Sequence, residues 1–241
     1  TIANFRDDDI AKGGQGAPLS PIFHKEVFAK ENKKRVIINI GGITNISLLG
    51  GAKLIGFDTG PGNCLLDIWT KKNKRGNYDN EGNWAKSGTV DQDLLDIMMK
   101  DNYFSLEPPK STGPDYFNLS WLQDCLMKLK REIDPRDTQA TLVELTASSL
   151  SNSLKRLKIV NENIYICGGG VHNKFLMRRI SFLLGEKCYT TDKLGLDPDY
   201  IEAICFAWLA YKRVNNIKFN MSAITGSNEK VFLGKVYLPT K

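Results

Sequence analysis

The chain has 241 residues, 41% hydrophobic and 25% charged, enough for one large domain or two small ones and unlike a disordered chain. A formal charge of +6 would suggest a nucleic-acid partner if the basic residues gathered, but they are scattered, and the one dense run, Lys71-Lys72-Asn73-Lys74-Arg75, has no interleaved aromatics, so none is expected. Five widely spaced cysteines without a C-x-x-C pair argue against a zinc site or a disulfide framework, and no apolar run is long enough for a membrane-crossing helix, so a cytoplasmic protein with reduced thiols is expected.

The opening segment, residues 2–21, carries Gly13-Gly14-Gln15-Gly16-Ala17-Pro18, too rich in glycine for a regular element and too apolar for a tail; it predicts an ordered loop with a purpose. Within it, Asp7-Asp8-Asp9 reads as a solvated helix start, since three adjacent carboxylates cannot all face one metal ion. Strand character sets in at Arg35. The β-branched runs 36–40 and 43–49, punctuated by Gly41-Gly42 and Gly50-Gly51, predict a hairpin, and a third strand begins with Lys53-Leu54-Ile55 and ends at Phe57.

That meander leads into Gly56-Phe57-Asp58-Thr59-Gly60-Pro61-Gly62-Asn63, followed by apolar residues at helical spacing, so Asp58 is expected where strand gives way to helix. Glycines in such a turn let the backbone approach a ligand closely, and N–H groups at a helix start favour anions. A carboxylate there can accept a proton, orient a water or hold a metal ion. Two readings stand: a functional carboxylate, or a tight turn whose Asp caps the helix.

Helices are predicted over 65–72, 91–100, 116–131 and 138–158, the last two separated by Ile133-Asp134-Pro135. Residues 107–114 are a proline-bounded loop whose Lys110-Ser111-Thr112-Gly113 can touch phosphate or sugar hydroxyls, without Walker spacing. A strand over 163–167 then runs into Gly168-Gly169-Gly170-Val171-His172-Asn173 and a helix over 175–184, a second ligand-binding turn in which Asn173 also suits a helix N-cap. A dinucleotide fingerprint would need Gly or Ala at Asn173, so NAD is disfavoured. A short strand over 187–190, a helix over 200–214 and an edge strand over 231–238 complete the chain. The 200–214 helix has Glu202 in its first turn and apolar residues all round, which predicts burial.

Together these motifs resemble one family, the bacterial anhydro-N-acetylmuramic acid kinases of the actin, sugar kinase and Hsp70 ATPase superfamily. The matching residues are Phe5-Arg6, Asp9-Ile10-Ala11, Gly13 to Leu19, Ile38 to Asn45, Phe57 to Asn63, Pro109 to Gly113, Thr141-Leu142 with Glu144 to Ala147, Gly168 to Gly170 with Asn173, and Ile201-Glu202-Ala203 with Phe206 to Ala210. One departure is Asn4, where family members usually have Asp.

The resemblance implies an α/β fold, a ribonuclease H-like lobe of the actin/sugar kinase/Hsp70 ATPase type with a mixed sheet and flanking helices. Residues 1–241 are expected to form the single C-terminal lobe of a two-lobe kinase, the N-terminal lobe with its first phosphate loop being absent. The implied reaction uses ATP, Mg²⁺ and water to convert 1,6-anhydro-N-acetylmuramic acid to N-acetylmuramic acid 6-phosphate. By resemblance Asp58 is the general base and Glu202 a second site carboxylate. Thr59, Gly60, Asn63, Gly168, Gly169, Gly170 and Asn173 would lie against the nucleotide, and Gln15, Gly16, Ala17 and Pro18 near the sugar; no residue is assigned as a metal ligand. The implied partners are the sugar, an N-terminal lobe in the same or a separate chain, and a second copy in a homodimer. Alone, the lobe is expected to be inactive; the alternative is a non-catalytic lobe acting as a binding or interaction module.

Overall fold

A computed structural model describes residues 1–51, 54–159 and 163–238; Lys53, expected to begin the third strand, lies outside the described residues. The chain opens with β1 (Ile2–Ala3), α1 (Asp7–Ala11) and α2 (Ser20–Phe28), then forms the meander β2 (Arg35–Ile40), β3 (Ile43–Leu49) and β4 (Ile55–Pro61). Five helices follow: α3 (Asn63–Lys72), α4 (Asn83–Lys86), α5 (Gln92–Met99), α6 (Leu119–Leu129) and α7 (Pro135–Arg156). The remainder is β5 (Asn163–Cys167), α8 (Lys174–Leu184), β6 (Cys188–Thr190), α9 (Ile201–Val214), β7 (Phe219–Asn220), β8 (Lys230–Val231) and β9 (Lys235–Val236).

The main sheet has the order β4-β3-β2-β5-β6, antiparallel among β4, β3 and β2 and parallel from β2 to β5 to β6. Side-chain alternation along the central strand β2 shows why both faces are covered. Val36, Ile38 and Ile40 enter a core built with α3 to α8, while Ile37 enters a second core with α2, α9 and the segment after it. This is the mixed α/β fold with flanking helices that the resemblance implies.

Helix starts follow local chemistry. Asp91, Asn118, Asp134 and Asn173 each accept a backbone N–H of the first turn of α5, α6, α7 and α8 respectively, satisfying donors the helix itself cannot. All five cysteines are free, and among the described residues no helix is long and apolar enough to cross a membrane.

Four sequence expectations are corrected. The opening segment is not all loop: it contains α1 and the start of α2. Asp7, Asp8 and Asp9 do start a helix, α1, but not as a solvated run: Asp9 is fully buried, accepting Gly16 N at 2.8 Å and Thr225 Oγ1 at 2.7 Å, while Asp8 accepts Phe232 N and Asp7 pairs with Lys235. Helix α9 is buried on one side only, through Ile201, Cys205 and Leu209, and leaves Ile204, Tyr211 and Val214 exposed, with Tyr200 just before it. The expected edge strand over 231–238 is two short pieces, with β8 pairing β7 and β9 pairing β1.

Candidate functional site

Asp58 lies inside β4, three residues before its end, rather than at a strand-to-helix turn. Pairing with β3 carries the strand past it: Asn45 stands opposite Asp58 and Thr44 opposite Gly60, so Thr59 is an extra residue in the ladder. Such a bulge bends the strand and re-aims its side chains. Asp58 lines a cleft of about 340 Å³ with Arg6, Ala17, Pro18, Asn39, Gly41, Gly42, Asn45, Thr112 and Glu202.

The carboxyl is nearly buried, at 3% exposure, and held by one stretch of chain. Ser111 Oγ and Thr112 N both donate to its Oδ2, at 2.9 and 3.0 Å. Its backbone N–H donates to Lys110 O at 3.1 Å, and Tyr103 OH donates to its carbonyl at 2.7 Å. Burial pushes the carboxyl up to about 6, against the pull of the Thr112 and Ser111 bonds and the charges of Arg6 and Lys110. A carboxylate in this range is largely ionised at neutral pH and still basic enough to accept a proton. Lys110 is buried too, donating to Tyr103 O at 3.1 Å with its ammonium 4.6 Å from the Tyr103 ring centre, and burial draws it down to about 8.

A second cleft, about 570 Å³, is lined by Asn63, Asp67, Asp79, Gly169, His172 and Asn173 among others. The Gly41-Gly42 turn lies between the two clefts, since Gly41 O accepts Asn63 N at 2.8 Å. The expected site residues therefore divide. Asp58, Glu202, Ala17 and Pro18 share the first cleft, and Asn63, Gly169 and Asn173 the second.

The other expected residues line neither cleft. Gln15 donates to Pro109 O and Gly16 to Asp9. Thr59 is fully buried and donates to Thr44 O. Gly60, Gly168 and Gly170 are glycines for packing: a Cβ would lie 2.8 Å from Phe104 at Gly60, 2.7 Å from Ile40 O at Gly168, and would collide with Ile40 Cγ2 at Gly170. Gly41, Gly42 and Gly169 are different, for a Cβ there would meet nothing closer than 3.7, 3.8 and 4.0 Å. A Cβ there would make only ordinary contacts, and because all three glycines line a cleft, their bare backbone suits close approach of a ligand. Arg6, Asn39, Gly41, Gly42 and Asn45 had no assigned role; all lie in segments that carry the family resemblance, the only signal that could have found them.

A family model described as anhydro-N-acetylmuramic acid kinase matches residues 1–239. The chain belongs to that family. Relatives named anhydro-N-acetylmuramic acid kinase include one from Pasteurella multocida, 48% identical over 240 residues, covering 98% of this chain and 63% of the relative. Another, from Saccharophagus degradans, is 46% identical over 241 residues, covering 99% of this chain and 65% of the relative. The chain thus spans a little under two thirds of the length of these family members. Among solved structures there is a distant likeness to the activator of the 2-hydroxyisocaproyl-CoA dehydratase from Clostridium difficile with bound ADPNP, with TM-score 0.45 and 18% identity over 84% of this chain and 70% of that one. The Acidaminococcus fermentans (R)-2-hydroxyglutaryl-CoA dehydratase component A is similar at TM-score 0.46 and 17% identity, over 82% and 68% of the two chains.

Proposed function

We propose that this chain is the C-terminal lobe of an ATP-dependent kinase that converts 1,6-anhydro-N-acetylmuramic acid to N-acetylmuramic acid 6-phosphate in the recycling of cell-wall sugars. The observation that carries the reading is the buried, clamped Asp58 in the first cleft, beside Glu202 and the Ala17-Pro18 segment. Asp58 takes a proton from the water that attacks the anomeric carbon; the bridging oxygen stays on C6 and accepts the phosphoryl group. ATP supplies that group when bound.

The residues of the second cleft fit a nucleotide. Gly169 leaves backbone bare beside Asn63 and Asn173, next to the start of the 11-residue helix α8, where N–H groups and the helix dipole favour phosphate. Among the described residues no three His, Cys, Asp or Glu side chains gather as a metal cage. No residue is assigned to Mg²⁺, which on a nucleotide is held largely by phosphate oxygens and water.

The reading includes a second lobe, in the same or a separate chain, that closes over both clefts and excludes water. It also includes a homodimer, for which the exposed Tyr200 and, on α9, Ile204, Tyr211 and Val214 offer an apolar face, and a cytoplasmic location, with which five free cysteines agree. The test is to combine the chain with the N-terminal lobe of a relative and measure ADP release. Release that depends on the anhydrosugar and is lost in Asp58→Asn supports the reading; a folded reconstitution with no sugar-dependent release overturns it.

A further inference from the structure

The two oxygens of Asp58 are unequal. Oδ2 accepts the Ser111 hydroxyl and the Thr112 N–H, whereas Oδ1 accepts no hydrogen bond among the described residues. The carboxyl cannot exchange its oxygens cheaply by rotating, because doing so breaks both bonds, and the backbone on either side is tied down by Lys110 O and Tyr103 OH. All four of these bonds come from residues 103–112, a segment some fifty positions away in the chain.

The geometry points to residues 103–112 as the positioning element of the site: Ser111 and Thr112 commit Oδ2 of Asp58 to the protein and leave Oδ1 as the oxygen that takes the proton from water. The role of Oδ1 rests on the reading of Asp58 as base. In that step the water proton passes to Oδ1 while the water oxygen bonds to C1 and the C1–O6 bond breaks, its electron pair remaining on O6. Protonation at Oδ2 would set an O–H against two donors already aimed at that atom, so the proton goes to Oδ1. The charged and titratable groups around the carboxyl are Arg6 from the opening segment, Lys110 and Tyr103 from the positioning segment, and Glu202 from α9 across the cleft.

Titration of the chain with ¹³C-labelled Asp tests this without ATP or sugar, the Asp58 resonance being identified by its loss in Asp58→Asn. In the unaltered chain the Thr112 amide proton shifts with the same midpoint as the Asp58 carboxyl, near 6. Ser111→Ala removes a bond that favours the ionised form and raises the midpoint by about one pH unit, while Ser111→Thr, which keeps the hydroxyl, restores it. Ser105→Ala, in the same segment but bonded only to Asn102 O, leaves the midpoint unmoved. A Thr112 amide blind to the Asp58 titration overturns the proposal. So does Ser111→Ala titrating like the unaltered chain, or Ser105→Ala moving the midpoint as far. Failure of sugar-dependent ADP release would leave the titration result standing, so the two readings fail separately.

Discussion

Two passages of this chain look alike in sequence, each a strand followed by glycines and a helix, and they differ in what the glycines do. Between β4 and α3 the strand continues through Asp58 to Pro61, and Gly60 is packed against Phe104 and Ser149. Between β5 and α8 the strand stops at Cys167, a short 3-10 turn follows, and Gly169 faces an open cleft while its neighbours on both sides press against Ile40. The first passage places a side chain; the second bares a backbone. A glycine-rich turn after a strand is thus two devices, told apart by what a methyl group at each position would strike.

The largest effect that would sharpen this contrast is on chemistry. On the proposed function, and with the N-terminal lobe of a relative added, Asp58→Asn should lower kcat by roughly 10²- to 10⁴-fold, the range for losing a general base, measured as sugar-dependent ADP release. A variant of near-normal activity would mean the first passage places nothing catalytic.

The next effect is on stability against pH, and two buried groups pull in opposite directions. Burial raises Asp58 to about 6, above its unfolded value of about 4, so the native state holds a proton that the unfolded chain has lost. Its contribution to stability therefore falls as pH rises through that window, by up to about 3 kcal/mol. Buried His24, bonded through Nδ1 to Ser47 Oγ, is pulled down to about 3, and its contribution is held above the unfolded value of about 6.5 and lost as pH falls towards 3. Asp58→Asn removes the first effect and leaves the second. Urea unfolding between pH 6 and 4.5 should show the variant losing about 1.5 kcal/mol more than the unaltered chain on acidification.

Within the second passage, Gly170→Ala should cost about 1–3 kcal/mol in urea unfolding, because its Cβ meets the Ile40 side chain in a filled core. Gly169→Ala should cost under about 0.5 kcal/mol, as surface changes do, yet weaken binding of a non-hydrolysable ATP analogue measured by calorimetry. Equal losses of stability at both positions would dissolve the distinction between packed and bare glycines. Asn173→Ala should fall between the two glycine variants, about 1 kcal/mol from loss of the cap on Leu176 N at 2.9 Å.

Elements with strong local patterns were legible in the sequence. The β-branched run of β2, the buried strand β5 and the capping role of Asn173 all stand where residue chemistry puts them. The extent of β4 was hidden, because Gly60 and Pro61 read as turn residues and pairing with Ile43 and Thr44 overrides that preference. Helix α2 is only nine residues long, too short for a convincing period, although Pro21 in its first turn is a usual start signal. Burial of Asp9 was hidden because, besides Gly16 N close by in the chain, its partner is Thr225, 216 positions away. The same is true of the first cleft, whose walls come from residues 6–20, 39–58, 112–114 and 201–206.

That long-range partnership has a consequence for the order of events in folding. The segment that brings Arg6, Ala17 and Pro18 to the cleft is fastened chiefly to the far end of the described chain: Ile2 pairs with Val236, Gln15 N with Thr225 O, Asp9 with Thr225 and Asp8 with Phe232. Contacts of such separation form late, because the closure entropy of the whole intervening chain must be met first. On the ribosome the sheet and its Asp58 can be in place while one wall of the cleft is still waiting for residues 225–236 to emerge.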